Sequence, residues 1–190
     1  MINLVAIDQA FVPGADDQAA IDEAMMGLAI DQAVQGLSAG GIPIGAVLAV
    51  GTEVLGAGHN QRVQRGSAIR HGETDALENA GRLSAATYAQ TTMYTTLSPC
   101  HMCTGAILLY GIPRVVIGEN ETYLGAEDLL RSHGVEVINL DSPRCIELMT
   151  SFIADRPELW FEDIGEVLEP VGGPGDGADP DDDPSCASTI

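Results

Sequence analysis

Apolar positions along the chain change their period several times, and each change marks an element. From Asp16 to Leu37, Ile21, Met25, Leu28, Ile30, Val34 and Leu37 recur near every 3.6 residues, which predicts a helix with one apolar face. Asp16 or Asp17 is placed to cap its start, and Gly40-Gly41 to end it. IGAVLAV (44–50) and TEVLGAG (52–58) lie on either side of Gly51-Thr52, two short apolar runs that predict a β-hairpin. HNQRVQRGSAIR (59–70) reads as a loop with three arginines, and HGETDALENAGR (71–82) as a helix.

Further on, TTMYTTL (91–97) is β-branched and aromatic, as strands are. CHMCTGAILLYG (100–111) predicts a helix, RVVIG (114–118) a strand, AEDLLRSHG (126–134) a short helix and VEVINL (135–140) a strand. SPRCIELMTSFIAD (142–155) and RPELWFEDIG (156–165) predict two closing helices. Strand and helix alternate from the hairpin onward, which indicates a layered α/β domain around a central sheet. The first two strands are expected to be antiparallel and the later ones parallel, joined by right-handed crossovers.

Composition narrows this picture. The 190 residues, 45% hydrophobic, suffice for one domain with a full core and hardly for two. Residues 1–15 read as an irregular lead-in, 16–166 as the domain, and 167–190 as a Gly/Pro/Asp-rich acidic tail expected to be disordered. No apolar run is long enough to span a bilayer, and MINLVAIDQAFVPGADDQ lacks the cationic start of a signal peptide. A cytoplasmic protein is expected.

Charge excludes some partners. Twenty-eight acidic residues face eight basic ones, all arginine, for a net charge of −20. Nucleic-acid affinity rests largely on Lys and Arg displacing counterions, and anionic membranes attract basic segments. Neither partner is expected.

The chemistry is concentrated in Pro99-Cys100-His101-Met102-Cys103. A C-x-x-C at a helix start after a strand also suits a redox dithiol, so position alone leaves that reading open. A structural zinc ribbon needs a second Cys pair, which Cys145 and Cys186 do not supply. The chain does supply His71-Gly72-Glu73 at the start of the preceding helix. H-x-E followed by P-C-x-x-C is the signature of zinc-dependent deamination. Cys100 and Cys103 lie one turn apart on the same side of a helix, at an N-terminus whose free amides favour thiolates. With His71 they give three ligands and leave a fourth position for water, whose pKa zinc brings to about 7. Glu73 is then expected to carry protons rather than bind metal. His101, His133 and His59 are read as a neighbour, a helix-end cation and a positional residue.

Beyond the metal motifs, the chain resembles the fungal-type cytosine deaminases. The resemblance covers about residues 16–166 and rests on GGIPIGAVLAV (40–50), GHNQRVQRGSAIRHGETDALENAGRL (58–83), TTMYTTLSPCHMCTGAILLYGIPRVVIGEN (91–120) and DRPELWFEDIGE (155–166). It implies a three-layer α/β/α sandwich with a central mixed five-stranded sheet, one zinc per subunit and a homodimer. It implies hydrolysis of free cytosine to uracil and ammonia in pyrimidine salvage, with 5-fluorocytosine also accepted. His71, Cys100 and Cys103 match the family's zinc ligands, and Glu73 its proton shuttle. Asn60 and the Gly72 amide match donors to the pyrimidine, and Asp163 a carboxylate that accepts from the exocyclic amine. Trp160 and Phe161 fall where the family has an aromatic lid, and Tyr123 where it has a phenylalanine gate. Leu97 and Ser98, just before the Cys motif, complete the expected substrate contacts.

Three features depart from the family: His101 stands where it carries an acidic residue, residues before Asp16 do not align, and the acidic tail has no counterpart. The rival readings are a deaminase of guanine, of a modified base or of transfer-RNA adenosine, and a zinc-binding module without turnover. Net charge weighs against the RNA version, the FEDIGE ending against the other bases, and Glu73 against the inert module, which has no need of a non-ligand carboxylate there.

Overall fold

The structure, a computed structural model, describes residues 17–167. The expected lead-in and nearly all of the expected tail lie outside the described residues. Five strands form one sheet in the order β2-β1-β3-β4-β5: β1 (Gly45–Val50), β2 (Glu53–His59), β3 (Thr92–Thr95), β4 (Arg114–Ile117) and β5 (Glu136–Asn139). β1 runs antiparallel to β2 and β3, while β3, β4 and β5 are mutually parallel. This is the mixed five-stranded sheet that the sequence predicted.

Alternation along the strands sends side chains into two separate cores. Ala46, Leu48, Met93, Val115 and Ile117 meet Ala76 and Leu77 of α3 (Gly72–Ala80), Ile107 of α5 (His101–Tyr110) and Leu130 of α6 (Glu127–Ser132). On the opposite face Val47, Ala49, Tyr94 and Val116 meet α1 (Gln18–Ser38) and Cys145 of α7 (Pro143–Asp155). Helices therefore cover both faces of the sheet. A third cluster, Ile42, Ile44, Leu97, Met149, Phe152 and Trp160, joins α7 to α8 (Pro157–Ile164). Each fully buried aliphatic or aromatic side chain in these cores contributes about 1.5–3 kcal/mol.

Three details correct the sequence reading. The buried stripe of α1 is Ile21, Met25, Met26, Ala29, Ala33 and Gly36, whereas Val34 and Leu37 reach the surface. The reason is close packing: a Cβ at Gly45 would lie 2.1 Å from the Ala29 carbonyl oxygen, so this contact selects small residues rather than the most apolar ones. The 59–70 stretch is not wholly loop but contains a helical turn, α2 (Arg62–Arg65). A second short helix, α4 (Ala85–Tyr88), sits between α3 and β3, capped by the Ser84 hydroxyl. The cap at the start of α1 is Asp17, which accepts from the Ala20 amide.

Candidate active site

Two helix N-termini converge beside the ends of β1 and β3. His71 precedes the first residue of α3, and Cys100 precedes the first residue of α5. The strand between them ends at Thr95. The His71 amide is held by the Thr74 hydroxyl at 2.9 Å, and the same hydroxyl donates to the Ile69 carbonyl, fixing the turn into α3.

Within this convergence the ligating atoms of His71, Cys100 and Cys103 all lie within 4.8 Å of one another. The Cys100 sulfur is 3.6 Å from His71 Nδ1. Bonds of about 2.0–2.3 Å from zinc to nitrogen and sulfur give tetrahedral edges of about 3.3–3.8 Å, so the donor set fits a zinc ion. Electrostatics agree. A hydrogen bond from Cys103 is the main cause that brings Cys100 down to about 4, with further help from His71. The same bond, together with burial, pushes Cys103 well up. Burial disfavours a charged His71 ring, but Cys100, Asp163 and Glu73 outweigh it and raise its pKa. Three donors thus crowd around shared protons, the arrangement that a divalent cation displaces.

Glu73 sits on the first turn of α3, 3% exposed, and accepts from the Thr95 hydroxyl at 3.2 Å. Burial, followed by the negative Cys100, raises its pKa, which suits a group that must both take and give a proton near neutrality. Its place beside the metal ligands is what the H-x-E spacing predicts. Thr95 is a partner that sequence reasoning missed, because a threonine at a strand end carries no distinguishing pattern.

Above these groups lies a cavity of about 20 Å³, lined by Ile44, His71, Glu73, Leu97, Ser98, Cys100, Tyr123, Trp160, Asp163 and Ile164. That is room for about one water. Trp160 and Tyr123 meet edge to face, with ring centroids 5.8 Å apart. Phe161 packs in the same apolar cluster without lining the cavity, and Ile164, which the sequence reading passed over, lines it instead. Gly72 is buried at the start of α3, close under the backbone of Ile44 and Gly45.

Asn60 and Asp163 meet although they lie far apart in the chain. Asn60 Nδ2 donates to Asp163 Oδ1 at 2.9 Å, and Asn60 Oδ1 accepts from the Arg62 amide at 3.0 Å. The Arg62 guanidinium reaches Asp163 at 3.2 Å and the Glu162 carbonyl at 3.0 Å, tying α2 to α8. Asp163 also lies 3.8 Å from His71 Nε2, as a carboxylate that orients a ligating histidine would. Arg62 is a second residue that sequence reasoning missed. It was read only as one of three loop arginines.

Ser98 is held by Glu127, whose carboxylate accepts from its hydroxyl at 2.8 Å, and in turn accepts from the Gly125 amide at 3.0 Å. Through that pair the segment bearing Tyr123 is fastened to the start of α5. His101, between the two cysteines, is exposed and lines a separate cleft of about 240 Å³ with Leu124 and Leu129. His59 contacts Gln32 through Nδ1 at 3.4 Å, and His133 ends α6.

Comparison with known proteins agrees with this geometry. The cytosine deaminase of Candida albicans is 61% identical over 130 residues, 68% of this chain and 87% of that protein. A tRNA-specific adenosine deaminase of Streptococcus pyogenes is 35% identical over 127 residues, 62% of this chain and 80% of that one. In fold, the chain resembles a guanine deaminase from Nitrosomonas europaea, with a TM-score of 0.59 and 20% identity over 70% of this chain and 84% of the other. Residues 19–119 match the cytidine and deoxycytidylate deaminase zinc-binding region, and the chain belongs to that family of zinc-binding deaminases.

Proposed function

We propose that this protein hydrolyses free cytosine to uracil and ammonia, within pyrimidine salvage. The observation that carries the reading is the junction of two sets of groups around one small cavity. His71, Cys100, Cys103 and Glu73 line or adjoin its floor, while Asp163, paired with Asn60, and the Trp160–Tyr123 contact close it. The 61% identity to a cytosine deaminase supports the choice of base.

His71, Cys100 and Cys103 would hold the zinc ion, which would supply a water acidified to near neutrality. Glu73, buried beside these ligands, would take a proton from the attacking water and deliver it to N3 of the base. The hydroxyl that has added at C4 would give its proton through Glu73 to the exocyclic nitrogen as the C4–N bond breaks and the C4 carbonyl forms, so cytosine and water become uracil and ammonia. Asn60 and the Gly72 amide orient the carbonyl side of the pyrimidine, and Asp163 accepts from the amine. Leu97, Ser98, Tyr123, Trp160 and Phe161 enclose the ring or back the residues that do. A cavity of about 20 Å³ holds no base, so part of its lining, to which α8 contributes Trp160, Asp163 and Ile164, has to move to admit one.

The assembly we propose is a homodimer. On α5, His101, Gly105 and Leu109 form an exposed row, Leu109 at 78%, and the adjoining cleft presents Leu124 at 68%. Such an apolar patch beside a site favours a second copy. Cys100, Cys103 and Cys145 are free thiols, in keeping with a reducing cytoplasm. Among the described residues no helix is long and apolar enough to cross a membrane. Residues 16–166 are proposed as the deaminase domain.

The test is ammonia release from cytosine, cytidine and guanine at equal concentration. Release from cytosine alone is expected. Release from cytidine would sink the closed-lid reading, and release from guanine alone would sink the choice of base.

A further inference from the structure

Asp75 lies one helical turn beyond His71 on α3, 1% exposed, and nothing in the proposed chemistry uses it. Its carboxylate nevertheless gathers donors from both ends of the segment that carries Asn60. The His59 amide donates to Oδ2 at 3.2 Å and the Gln61 side-chain amide to the same oxygen at 2.8 Å. Arg70, the last residue before His71, donates to Oδ1 at 2.9 Å. The residues on either side of Asn60 are therefore gripped by a single buried group. The loop is also closed by the Gln61 amide on the Arg70 carbonyl at 2.9 Å.

Sequence makes this approach possible. A Cβ at Gly58 would lie 2.6 Å from Asp75 Oδ2 and 2.7 Å from the Ala76 nitrogen. Only glycine lets α3 lie so close to the end of β2. A buried carboxylate is costly unless its oxygens are satisfied, and here the Arg70 guanidinium, the His59 and Gln61 amides and, at 3.5 Å, the Asn79 side-chain amide satisfy it. Charge-assisted bonds of this kind hold geometry more tightly than neutral ones.

We infer that Asp75 is a positioning residue for base recognition: by holding both chain neighbours of Asn60 it sets where that side chain stands beside Asp163, which lines the cavity. The inference rests on the reading of Asn60 as a contact to the base. Because that contact is made in the bound and reacting states alike, loosening it weakens binding more than it slows chemistry.

The experiment is a double-mutant cycle in the zinc-loaded full chain, with Asp75→Asn, Asn60→Ala and the pair, read as KM, kcat and zinc content. Asp75→Asn is expected to raise KM for cytosine about tenfold, leave kcat within about threefold and leave zinc at the wild-type level. In the Asn60→Ala background it is expected to add less than about twofold, since the two residues act through one contact. Independent, multiplying effects, or an unchanged KM, would overturn the inference. Gln61→Ala, which leaves the Arg70 pair intact, covers the case in which Asp75→Asn fails to fold; about a threefold rise in KM is expected, and none would overturn it. Wild-type silence on cytosine would instead refute the substrate reading. Amide exchange at Asn60, whose N–H donates to the Ile44 carbonyl at 2.8 Å, then decides without any substrate. Faster exchange in Asp75→Asn supports the inference, and unchanged exchange overturns it.

Discussion

His71, Glu73, Cys100 and Cys103 come from two helix N-termini joined by one strand, whereas Asn60, Tyr123, Trp160 and Asp163 come from three segments spread between residues 60 and 163. The first group stands on elements whose starts are fixed by the sheet. Its members are already in contact, with Cys100 3.6 Å from His71 and Glu73 held by Thr95. The second group is assembled by a loop, a strand end and a terminal helix, and its polar members Asn60 and Asp163 pair directly with each other. A chemical centre must hold its geometry through every turnover. The proposed recognition shell has to open around a substrate, and on that reading its contacts are ones to be exchanged for contacts to a base.

The largest expected effect lies on the chemical side. Glu73→Gln removes the proposed proton carrier but keeps size and burial, and is expected to lower kcat by roughly 10³–10⁴-fold. Metal analysis of the purified variant should still show wild-type zinc, because Glu73 is not among the clustered ligand atoms. Loss of zinc would make Glu73 part of the metal-binding shell and erase the division just drawn.

That same division decided what the sequence could reveal. The chemical half is legible because a helix start places residues two or three apart in a predictable relation, so H-x-E and C-x-x-C each fix a geometry. The strands were equally legible as short apolar runs, although nothing in IGAVLAV told that Val47 and Leu48 face opposite cores. Arg62, Thr95 and Asp75 were not. Their roles arise from contacts between separate elements, from 5 residues apart for Asp75 and Arg70 to 101 for Arg62 and Asp163, and no motif spacing encodes such a meeting. The buried face of α1 was misread for a related reason. Close approach to Gly45 favours alanine there, so the most hydrophobic residues are not the most buried.

On the recognition side the effect should be smaller and of a different kind. Asp163→Asn puts an amide where a carboxylate now accepts from Asn60 and Arg62. One unsatisfied contact to substrate costs about 1–3 kcal/mol, so kcat/KM for cytosine is expected to fall by roughly 10–100-fold. Stopped-flow or steady-state rates would show the loss. If it reached the loss of Glu73→Gln, Asp163 would be serving the chemistry, through His71 Nε2 at 3.8 Å, and the two halves would merge.

The smallest effect belongs to a carboxylate in neither half, and it serves as the control for both. Asp22 of α1 is buried against β3 and β4, where Arg114 donates to both its oxygens at 2.7 Å and the Tyr94 hydroxyl donates at 3.0 Å. Burial alone would raise its pKa, but the bonds from Arg114, Gln18 and Tyr94 outweigh it and hold Asp22 below its ordinary value. A carboxyl whose pKa is depressed on folding adds stability that is fully present above its unfolded value of about 3.9 and is lost as pH falls below it. Asp22→Asn is therefore expected to cost about 2 kcal/mol at neutral pH, the scale of a charge-assisted hydrogen bond. In thermal melts the gap between wild type and variant should stay constant from about pH 7 to pH 5 and close below about pH 4. A gap independent of pH would mean that Asp22 acts by packing alone. Since Asp22 touches neither the metal ligands nor the base-facing groups, kcat and KM at neutral pH are expected to stay within about twofold, as for a change remote from the site; a larger change would show that the core beneath β3 reaches Thr95 and, through it, Glu73.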